Sequence, residues 1–357
     1  MRRSRRRWRA AGLLTCGAVA AALVVGSGGP VAGPRDSAAA PVDPTVRALE
    51  DPVGRPAAQG GRAYRAFSPE SWWNTEVPAD APDHPDEAAI LDHMRAGRQS
   101  DGGCLSLAGA ENSWGQPVYW AGPGDPEHDV AVPDTEGRPE LAALRLPLGA
   151  QAADTSDRAM TVFDVERGFV VALTGARFDA DRGGWRASGA TVTYLDSNGL
   201  DARLPGSDDS RNLGTHRGNN GATMMVRHDE VVAGEVGHVV KVASGPEMSR
   251  EAVWPMVASD GDARGPVAPE QGLRFRIKPS VDLDRLDLHP EARVIAEGLQ
   301  RYGFYLGDSA GRTALKLENT TAQRQGHKWT VPADGLCGLP LGPTLWDVLP
   351  AGYDPSR

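Results

Sequence analysis

Short runs of β-branched and aromatic residues recur along the chain from about residue 67 onward, and Gly, Pro, Asp and Asn separate them. Apolar and polar positions alternate within several runs, which is typical of strands with one buried face. The clearest runs are PVYWAG (117–122), AMTVFDVERGFVVALTGARF (159–178), ATVTYL (190–195), EVGHVVKVAS (235–244), GLRFRIKP (272–279) and TALKLEN (313–319). This pattern predicts a chain built mainly of short β-strands joined by turns.

Two stretches instead carry helical periodicity and helix end signals. PDEAAILDHMRAG has Pro85 near its start and Gly97 at its end, and HPEARVIAEGLQRYG has Pro290 in its first turn and Gly303 at its end. One face of the second stretch is apolar and consists of Ala292, Ile295, Leu299 and Tyr302. The predicted fold is therefore all-β: an antiparallel β-sandwich of the jelly-roll type with two peripheral helices.

The N-terminal 66 residues differ in composition from the rest. Six arginines precede Ala10, and the Ala, Leu and Val run that follows is short for a membrane span. Residues 1–40 are predicted to be a signal peptide, with an uncleaved anchor as the alternative. Residues 41–66 are rich in Pro, Ala, Gly and Arg and are predicted to be a disordered linker. Residues 67–349 are predicted to form a single β-sandwich domain. The protein is expected to be secreted and not to insert stably into a membrane.

The charge balance is acidic. The chain has 38 basic and 47 acidic side chains, and the predicted signal peptide holds seven Arg and one Asp, which leaves the remainder with a formal charge of −15. Such a surface argues against nucleic acid or anionic membranes as partners. We find no Gly-rich phosphate loop and no zinc-ligand spacing, so no cofactor and no metal are expected. The protein is expected to be a monomer.

The cysteines fit an oxidising compartment. Of the three, Cys16 lies in the predicted signal peptide, which leaves Cys104 and Cys337 as an even pair. We predict one disulfide that joins the two ends of the domain; two separate thiols are the alternative.

Five segments occur in an order that resembles an uncharacterised family of secreted bacterial β-sandwich proteins, common in actinobacteria. They are HRGNNGA (216–222), RHDEVVAGEVGHVVKV (227–242), VWPMVASDG (253–261), GLRFRIKPSVDLD (272–284) and QRYGFYLGDSAG (300–311). The family pattern has a Gly-Glu-Ile/Val-x-His strand followed by a Gly-x-Arg-x-Arg strand, and the likeness covers roughly residues 147 to 319. The resemblance implies a shared architecture and supplies no reaction.

A row of cations is the first candidate binding feature. Within GLRFRIKP, Arg274, Arg276 and Lys278 alternate with apolar residues, so one strand face presents three cations about 7 Å apart. Such a row is suited to binding the carboxylates or phosphates of a ligand. The alternative is a solvated outer face whose charges pair with Asp282 and Asp284.

One histidine and two aspartates are the candidate catalytic residues. His238 shares its strand face with valines, so its ring is either a proton-transfer group in a cleft or a core ring with a hydrogen-bonded partner. Asp308 and Asp164 lie in apolar, strand-like runs, where burial raises carboxylate pKa values and favours acid or base chemistry. The alternative for both is a turn aspartate bonded to backbone amides.

Two functions are consistent with these features. The first is a secreted carbohydrate-active enzyme, a glycoside hydrolase or polysaccharide lyase, that acts on an acidic extracellular glycan. In that case the cationic strand holds the sugar and His238, Asp308 or Asp164 moves protons. The second is a non-catalytic glycan-binding or envelope-associated module. We favour the enzyme.

Overall fold

The computed structural model describes residues 54–56, 61–133, 138–214, 217–322 and 326–355. The predicted signal peptide, residues 1–40, and most of the predicted linker lie outside these ranges. Tyr64, inside the predicted linker, packs edge-on against Trp120 and Phe163, with ring centroids 5.7 and 6.3 Å away. Packing therefore begins before Phe67, the predicted start of the domain.

Strands outnumber helices in the described residues, which confirms the β-rich class. The helices are α1 (Glu87–Ala96), α2 (Pro139–Ala142), α3 (His228–Val232) and α4 (Pro290–Arg301). The strands are β1 (Ser106–Ala108), β2 (Val118–Trp120), β3 (Glu127–His128), β4 (Val130–Ala131), β5 (Leu144–Arg145), β6 (Met160–Asp164), β7 (Phe169–Thr174), β8 (Arg177–Asp179), β9 (Gly184–Arg186), β10 (Gly189–Tyr194), β11 (Leu213–Gly214), β12 (Val240–Ser244), β13 (Arg274–Ile277), β14 (Phe304–Ser309), β15 (Ala314–Lys316) and β16 (Trp346–Val348). The helices α1 and α4 confirm the two helical predictions.

Two mixed sheets dominate the fold. One has six strands in the order β1-β15-β12-β14-β13-β16, and the other has five in the order β11-β10-β7-β6-β2. The pairs β1–β15, β12–β14 and β2–β6 are parallel, so the prediction of a purely antiparallel fold is wrong. Parallel neighbours need a long crossover, and β13 and α4 lie between β12 and β14 in the chain. The jelly-roll arrangement stays a prediction.

The strands β6 and β7 are buried on both faces because each face meets a different apolar cluster. In β7, Phe169, Val171 and Leu173 belong to one cluster, whereas Val170 and Ala172 belong to another. The second cluster also contains Tyr305 of β14 and Val239 beside β12, which come from the six-stranded sheet. Apolar packing therefore connects the two large sheets.

The six-stranded sheet has one apolar face and one face with buried charges. In β13, Phe275 and Ile277 enter the apolar cluster that also covers α1 and α4, whereas Arg274 and Arg276 project to the other face and are only 1 and 2% exposed. The same alternation in β12 sends Lys241 to the charged face. The period-2 prediction for β13 is confirmed, but the cationic face is covered by protein.

The predicted disulfide is confirmed: Cys104 and Cys337 are bonded across 233 residues of sequence, with their α-carbons 4.4 Å apart. No helix in the described part of the chain is both long enough and apolar enough to cross a membrane.

We expect replacement of both cysteines by serine to lower the free energy of unfolding by about 2 to 5 kcal/mol, because the long loop regains its conformational freedom in the unfolded chain. Urea unfolding of the double variant and of wild type measures this loss. A non-reduced digest of the wild type should contain a peptide that crosslinks Cys104 to Cys337. Two cysteines that both react with an alkylating reagent in the native protein contradict the expectation.

Candidate functional site

A polar cleft of about 340 Å³ lies at the end of β14, and side chains from both large sheets line it. We call it the Asp308 cleft. Its polar lining consists of Gln116, Asp157, Thr174, Ser188, Arg217, Asp308, Ser309 and Lys316. Hydroxyl, amide and charged groups thus meet in one solvent-open concavity, whereas most ligand sites are lined mainly by apolar side chains.

A β-bulge at Gly307 aims Asp308 into this cleft. Strict alternation along β14 would put Asp308 on the face of Phe304 and Leu306, which is the apolar face. The register instead shifts between β12 and β14: Leu306 is opposite Val242, and Asp308 is opposite the next residue, Ala243. The extra residue turns the Asp308 side chain toward Lys241. Bulges commonly redirect a side chain in this way beside active sites.

Only glycine fits at the bulge. A β-carbon on Gly307 would lie 2.6 Å from Asn219 Oδ1 and 2.7 Å from Lys241 Cδ. The amide of Asn219 also donates to the Gly307 carbonyl at 2.9 Å. The segment around Asn219 and the bulge therefore fit tightly together and hold Asp308 in place.

Two cations hold the Asp308 carboxylate, and a second aspartate extends the network. Lys241 Nζ lies 3.2 Å from Asp308 Oδ2, and Arg217 Nη2 donates to the other oxygen, Oδ1. The same Arg217 nitrogen lies 3.2 Å from Asp260 Oδ2, and Ser309 Oγ donates to Asp260 Oδ1 at 3.0 Å. The side chains of Asp308 and Asp260 are about one-fifth and one-third exposed, and Asp308 is the one of the two that lines the cleft.

Burial and a neighbouring carboxylate act in opposite directions on the pKa of Lys241. Its side chain is 1% exposed, and this desolvation lowers the pKa of Lys241 below its usual value of 10.5, although Asp308 opposes the shift. Nearby Lys316 and Arg217 lower the pKa further. The ammonium therefore depends on Asp308, and any change in the charge of Asp308 changes how easily Lys241 gives up its proton.

The loop that carries Arg217 has unusual backbone and unpaired polar atoms. Arg217 has a φ of 54°, in the left-handed region that side chains other than glycine seldom adopt. Its Nε has no hydrogen-bond partner among the described residues, and the same is true of Asn219 Oδ1 and Asn220 Nδ2 nearby and of Gln116 Oε1 in the cleft lining. Most buried polar atoms in proteins are paired, so Arg217 and Gln116 enter the lining of the cleft with part of their hydrogen-bonding capacity unused within the described residues.

The ring of His238 lies in a different network. It is 3% exposed; Nε2 lies 2.8 Å from Glu230 Oε1, and Nδ1 lies 2.9 Å from the Val239 carbonyl. Both partners are oxygen atoms that can accept hydrogen bonds, so each ring nitrogen lies beside a protein acceptor. Burial alone would raise the pKa of Glu230, but Arg227 and His238 outweigh it and hold that pKa below its usual value. These contacts favour the core interpretation of His238 over the catalytic one.

The cationic side chains of β13 already bind hydrogen-bond acceptors of the protein itself. Arg274 donates to the carbonyls of Tyr302, Trp72 and Thr75 at 2.7 to 3.3 Å. Burial lowers the pKa of Arg274 to about 9, which leaves the guanidinium charged at neutral pH.

The two remaining cations of this row share a carboxylate. Arg276 Nε lies 2.9 Å from Asp347 Oδ2, and Arg276 also donates to three carbonyls in residues 77–79. Lys278 Nζ lies 2.6 Å from Asp347 Oδ1 and 3.3 Å from Glu87 Oε1. These contacts give the row a structural role, and its role in ligand binding stays a prediction. The alternative partners also pair elsewhere, Asp282 with Arg285 and Asp284 with Arg293.

Asp164 lies at the end of β6, beside the turn that leads into β7. Its Oδ1 accepts from the Arg167 backbone amide at 3.1 Å, and guanidinium groups of Arg145 and Arg167 lie 3.7 Å from the carboxylate. Burial raises the pKa of Asp164 despite these cations. The amide contact fits a turn aspartate.

One group of carboxylates has the spacing of a cation site. Oxygen atoms of Asp83, Glu87 and Asp347 lie within 4.8 Å of one another. Lys278 already bonds to Glu87 and Asp347, and Arg276 bonds to Asp347. Protein cations therefore supply the positive charge that these carboxylates need.

Of the predicted residues, Asp308 alone lines the cleft that we take as the candidate site. The hydrogen bonds and ion pairs described above for His238, for the cationic row and for Asp164 belong to three other networks. Sequence reasoning missed Lys241, Arg217 and Asp260. Three sequence features could have indicated these residues: the lysine inside the apolar run GHVVKVAS for Lys241, the Gly- and Asn-rich stretch HRGNNGA for Arg217, and the Asp-rich stretch ASDGD for Asp260.

We expect His238→Ala to lower the free energy of unfolding by about 1 to 3 kcal/mol, because Glu230 loses its partner and a cavity forms. Chemical denaturation measures the change, and His327→Ala, at an exposed position, is the matched control. If the His238→Ala protein keeps wild-type stability and its turnover falls by two to four orders of magnitude, the result contradicts the core interpretation and supports a catalytic role of His238.

We expect Glu230→Gln to destabilise the protein at pH 7 and to matter less in acid. The folded-state pKa of Glu230 lies below 4.5, so its carboxylate contributes stability above the unfolded pKa, and this contribution is lost as pH falls through the folded value. Unfolding free energies from pH 7 to pH 3 should converge for variant and wild type. Glu297→Gln, at an exposed position of α4, controls for the loss of one charge. An unchanged difference across this range contradicts the expectation.

No protein-family model, curated protein or solved structure matches this chain.

Proposed function

We propose that this protein is a secreted carbohydrate-active enzyme that cleaves an acidic extracellular glycan at the Asp308 cleft. The observation that carries the proposal is the combination of Asp308 with Arg217 and Lys316 in one hydroxyl-lined concavity. A sugar offers many hydroxyl groups, and an acidic sugar adds a carboxylate or sulfate, so this mixed lining is complementary to it. Export and a jelly-roll arrangement of the sheets belong to the same proposal.

Each charged group has a distinct role in the proposed reaction. Asp308 is the proton-transfer group, because its carboxylate lines the cleft and the bulge fixes its position. Arg217 pairs with Asp308, and Lys316 Nζ lies 3.4 Å from Asp157 Oδ2; both cations are partly exposed, by about one-quarter and one-seventh, and their remaining donors bind the acidic group of the sugar. Lys241 lies behind Asp308 and stabilises its ionised form.

Hydrolysis and elimination remain the two reaction types within this proposal. In hydrolysis the ionised Asp308 takes a proton from the water that attacks the anomeric carbon, and the glycosidic oxygen leaves as a hydroxyl group. In elimination the ionised Asp308 removes the proton next to the sugar carboxylate, nearby cations stabilise the charge that develops, and the glycosidic oxygen leaves as the carbon–carbon double bond forms. The products differ, since only elimination forms an unsaturated sugar that absorbs in the ultraviolet.

We expect the purified protein to cleave at least one acidic polysaccharide, and Asp308→Asn to reduce turnover by two to four orders of magnitude. Reducing-end release and ultraviolet absorbance measure hydrolysis and elimination in the same reaction. Asp92→Asn, at an exposed position of α1, is the matched control and should keep full turnover.

Loss of the Asp308 carboxylate also removes a partner of buried Lys241, so folding of the variant must be checked by thermal denaturation. If Asp308→Asn does not fold, Arg217→Gln tests the same cleft and should raise KM for the acidic glycan. Binding of the glycan without any turnover supports the non-catalytic module instead. Full turnover in a folded Asp308→Asn protein contradicts the assignment of the site.

A further inference from the structure

A second concavity adjoins the Asp308 cleft at Ser188, which lines both. It has a volume of about 510 Å³, and we call it the arginine cleft. Its lining includes one carboxylate, Asp129, and four arginines, Arg138, Arg177, Arg182 and Arg186. On a chain with a formal charge of −9, such a concentration of cations is a local exception.

Three of these arginines have carboxylate partners that use only part of their capacity. Arg182 pairs with Asp129, and Arg186 pairs with Asp179; their side chains remain 38 and 48% exposed. Each guanidinium has five N–H donors, so both retain donors that face solvent. Arg138 is more enclosed and bonds to Glu140 and to backbone carbonyls.

Arg177 lies at the start of β8, where its backbone pairs with Arg186 of β9, and its side chain is exposed. The guanidinium of Arg177 makes no hydrogen bond or ion pair with any described residue. A planar guanidinium of this kind binds carboxylate or sulfate groups in bidentate fashion. Unlike Arg274, whose guanidinium already donates to three carbonyls of the protein, Arg177 keeps its donors for an external anion.

Arg177 also lines a third concavity, of about 670 Å³, which contains an exposed aromatic ring. Phe178 is 52% exposed, and the rings of Trp185 and His128 pack edge-on against it with centroids 5.9 and 6.1 Å away. We call this concavity the Phe178 cleft. Its neighbours hold the Phe178 ring in place, which gives a rigid apolar surface at low entropic cost.

We propose that the three clefts form one groove that binds an extended acidic polysaccharide. Arg177, with Arg182 and Arg186, binds the carboxylate or sulfate groups of the chain, and Phe178 packs against its sugar rings. Ser188 joins the arginine cleft to the Asp308 cleft, and Arg177 joins it to the Phe178 cleft. The role of the Asp308 end rests on the proposed function, whereas the binding of the chain by the arginine cleft does not.

The uncharged polar lining of the groove favours a polysaccharide over nucleic acid as the occupant. Nucleic acid carries a phosphate at every nucleotide and binds through many simultaneous cation contacts, which the arginine cleft offers only locally. The Asp308 cleft adds hydroxyl and amide groups from Gln116, Thr174, Ser188 and Ser309, and these groups suit the many hydroxyl groups of a sugar chain.

The test measures binding of four probes to wild type and variants by isothermal titration at two salt concentrations. The probes are polygalacturonate, dextran sulfate, neutral dextran and single-stranded DNA; the first two distinguish carboxylate from sulfate ligands. We expect Arg177→Gln to weaken binding of the preferred acidic glycan about tenfold, because a charge-assisted contact is lost. Phe178→Ala should weaken it at both salt concentrations, because its contribution is apolar.

Arg285→Gln is the matched control, since the Arg285 side chain is 85% exposed and pairs with Asp282 away from the groove residues; it should bind as wild type does. Equal affinity of Arg177→Gln and wild type for both acidic glycans overturns the groove and leaves the proposed function intact. Binding that depends on Arg177, without turnover of any glycan, upholds the groove and overturns the enzyme. Tighter binding of single-stranded DNA than of either acidic glycan overturns the choice of ligand.

Discussion

The need of buried cations for hydrogen-bond acceptors organises much of this protein. Arg227, Lys241, Arg274 and Arg276 are each at most 2% exposed, and removing such charges from water costs several kcal/mol per ion unless partners replace the water. Arg274 and Arg276 take those partners from the main chain of residues 72–79. The segment 72–79 is thereby fastened to the charged face of the six-stranded sheet, and its tryptophans close the core between the sheets.

The helices and strands could be predicted from the sequence, because they depend on interactions between residues that are close together in the chain. Alternation in GLRFRIKP predicted the two faces of β13, and the proline and glycine signals predicted α4 nearly to its ends. The even cysteine pair predicted the disulfide. Parallel pairing of β12 with β14 was missed, because a buried strand has the same pattern whichever direction its neighbour runs. Pairing depends on crossovers that local periodicity does not encode.

The site was only partly predictable, for two physical reasons. Alternation tells which side chains share a face but not what covers that face, so the acceptors of Arg274, some 200 residues away in sequence, left no local signal. The second reason is the bulge at Gly307, after which the side chains of β14 point to the opposite faces from those that simple alternation predicts. Alternation therefore puts Asp308 on the wrong face of the sheet. A glycine inside a strand is a signal for such a bulge. A bulge at Gly307 puts Asp308 on the face opposite to Phe304 and Leu306, and the pairing with β12 then brings it to Lys241.

Arg274 and Arg217 differ in how many of their hydrogen-bond donors are already bonded to acceptors of the protein. Arg274 is buried and donates hydrogen bonds to three carbonyls, so its guanidinium fastens separate segments of the chain to one another. Arg217 has a strained backbone, an Nε without a partner among the described residues, and a side chain that is 23% exposed. Backbone strain persists only where the surrounding structure enforces it, and here the enforcing partners are Asp308 and Asp260. The same residue type on the same protein therefore stabilises the fold where acceptors saturate its donors, and it lines a solvent-open cleft where they do not.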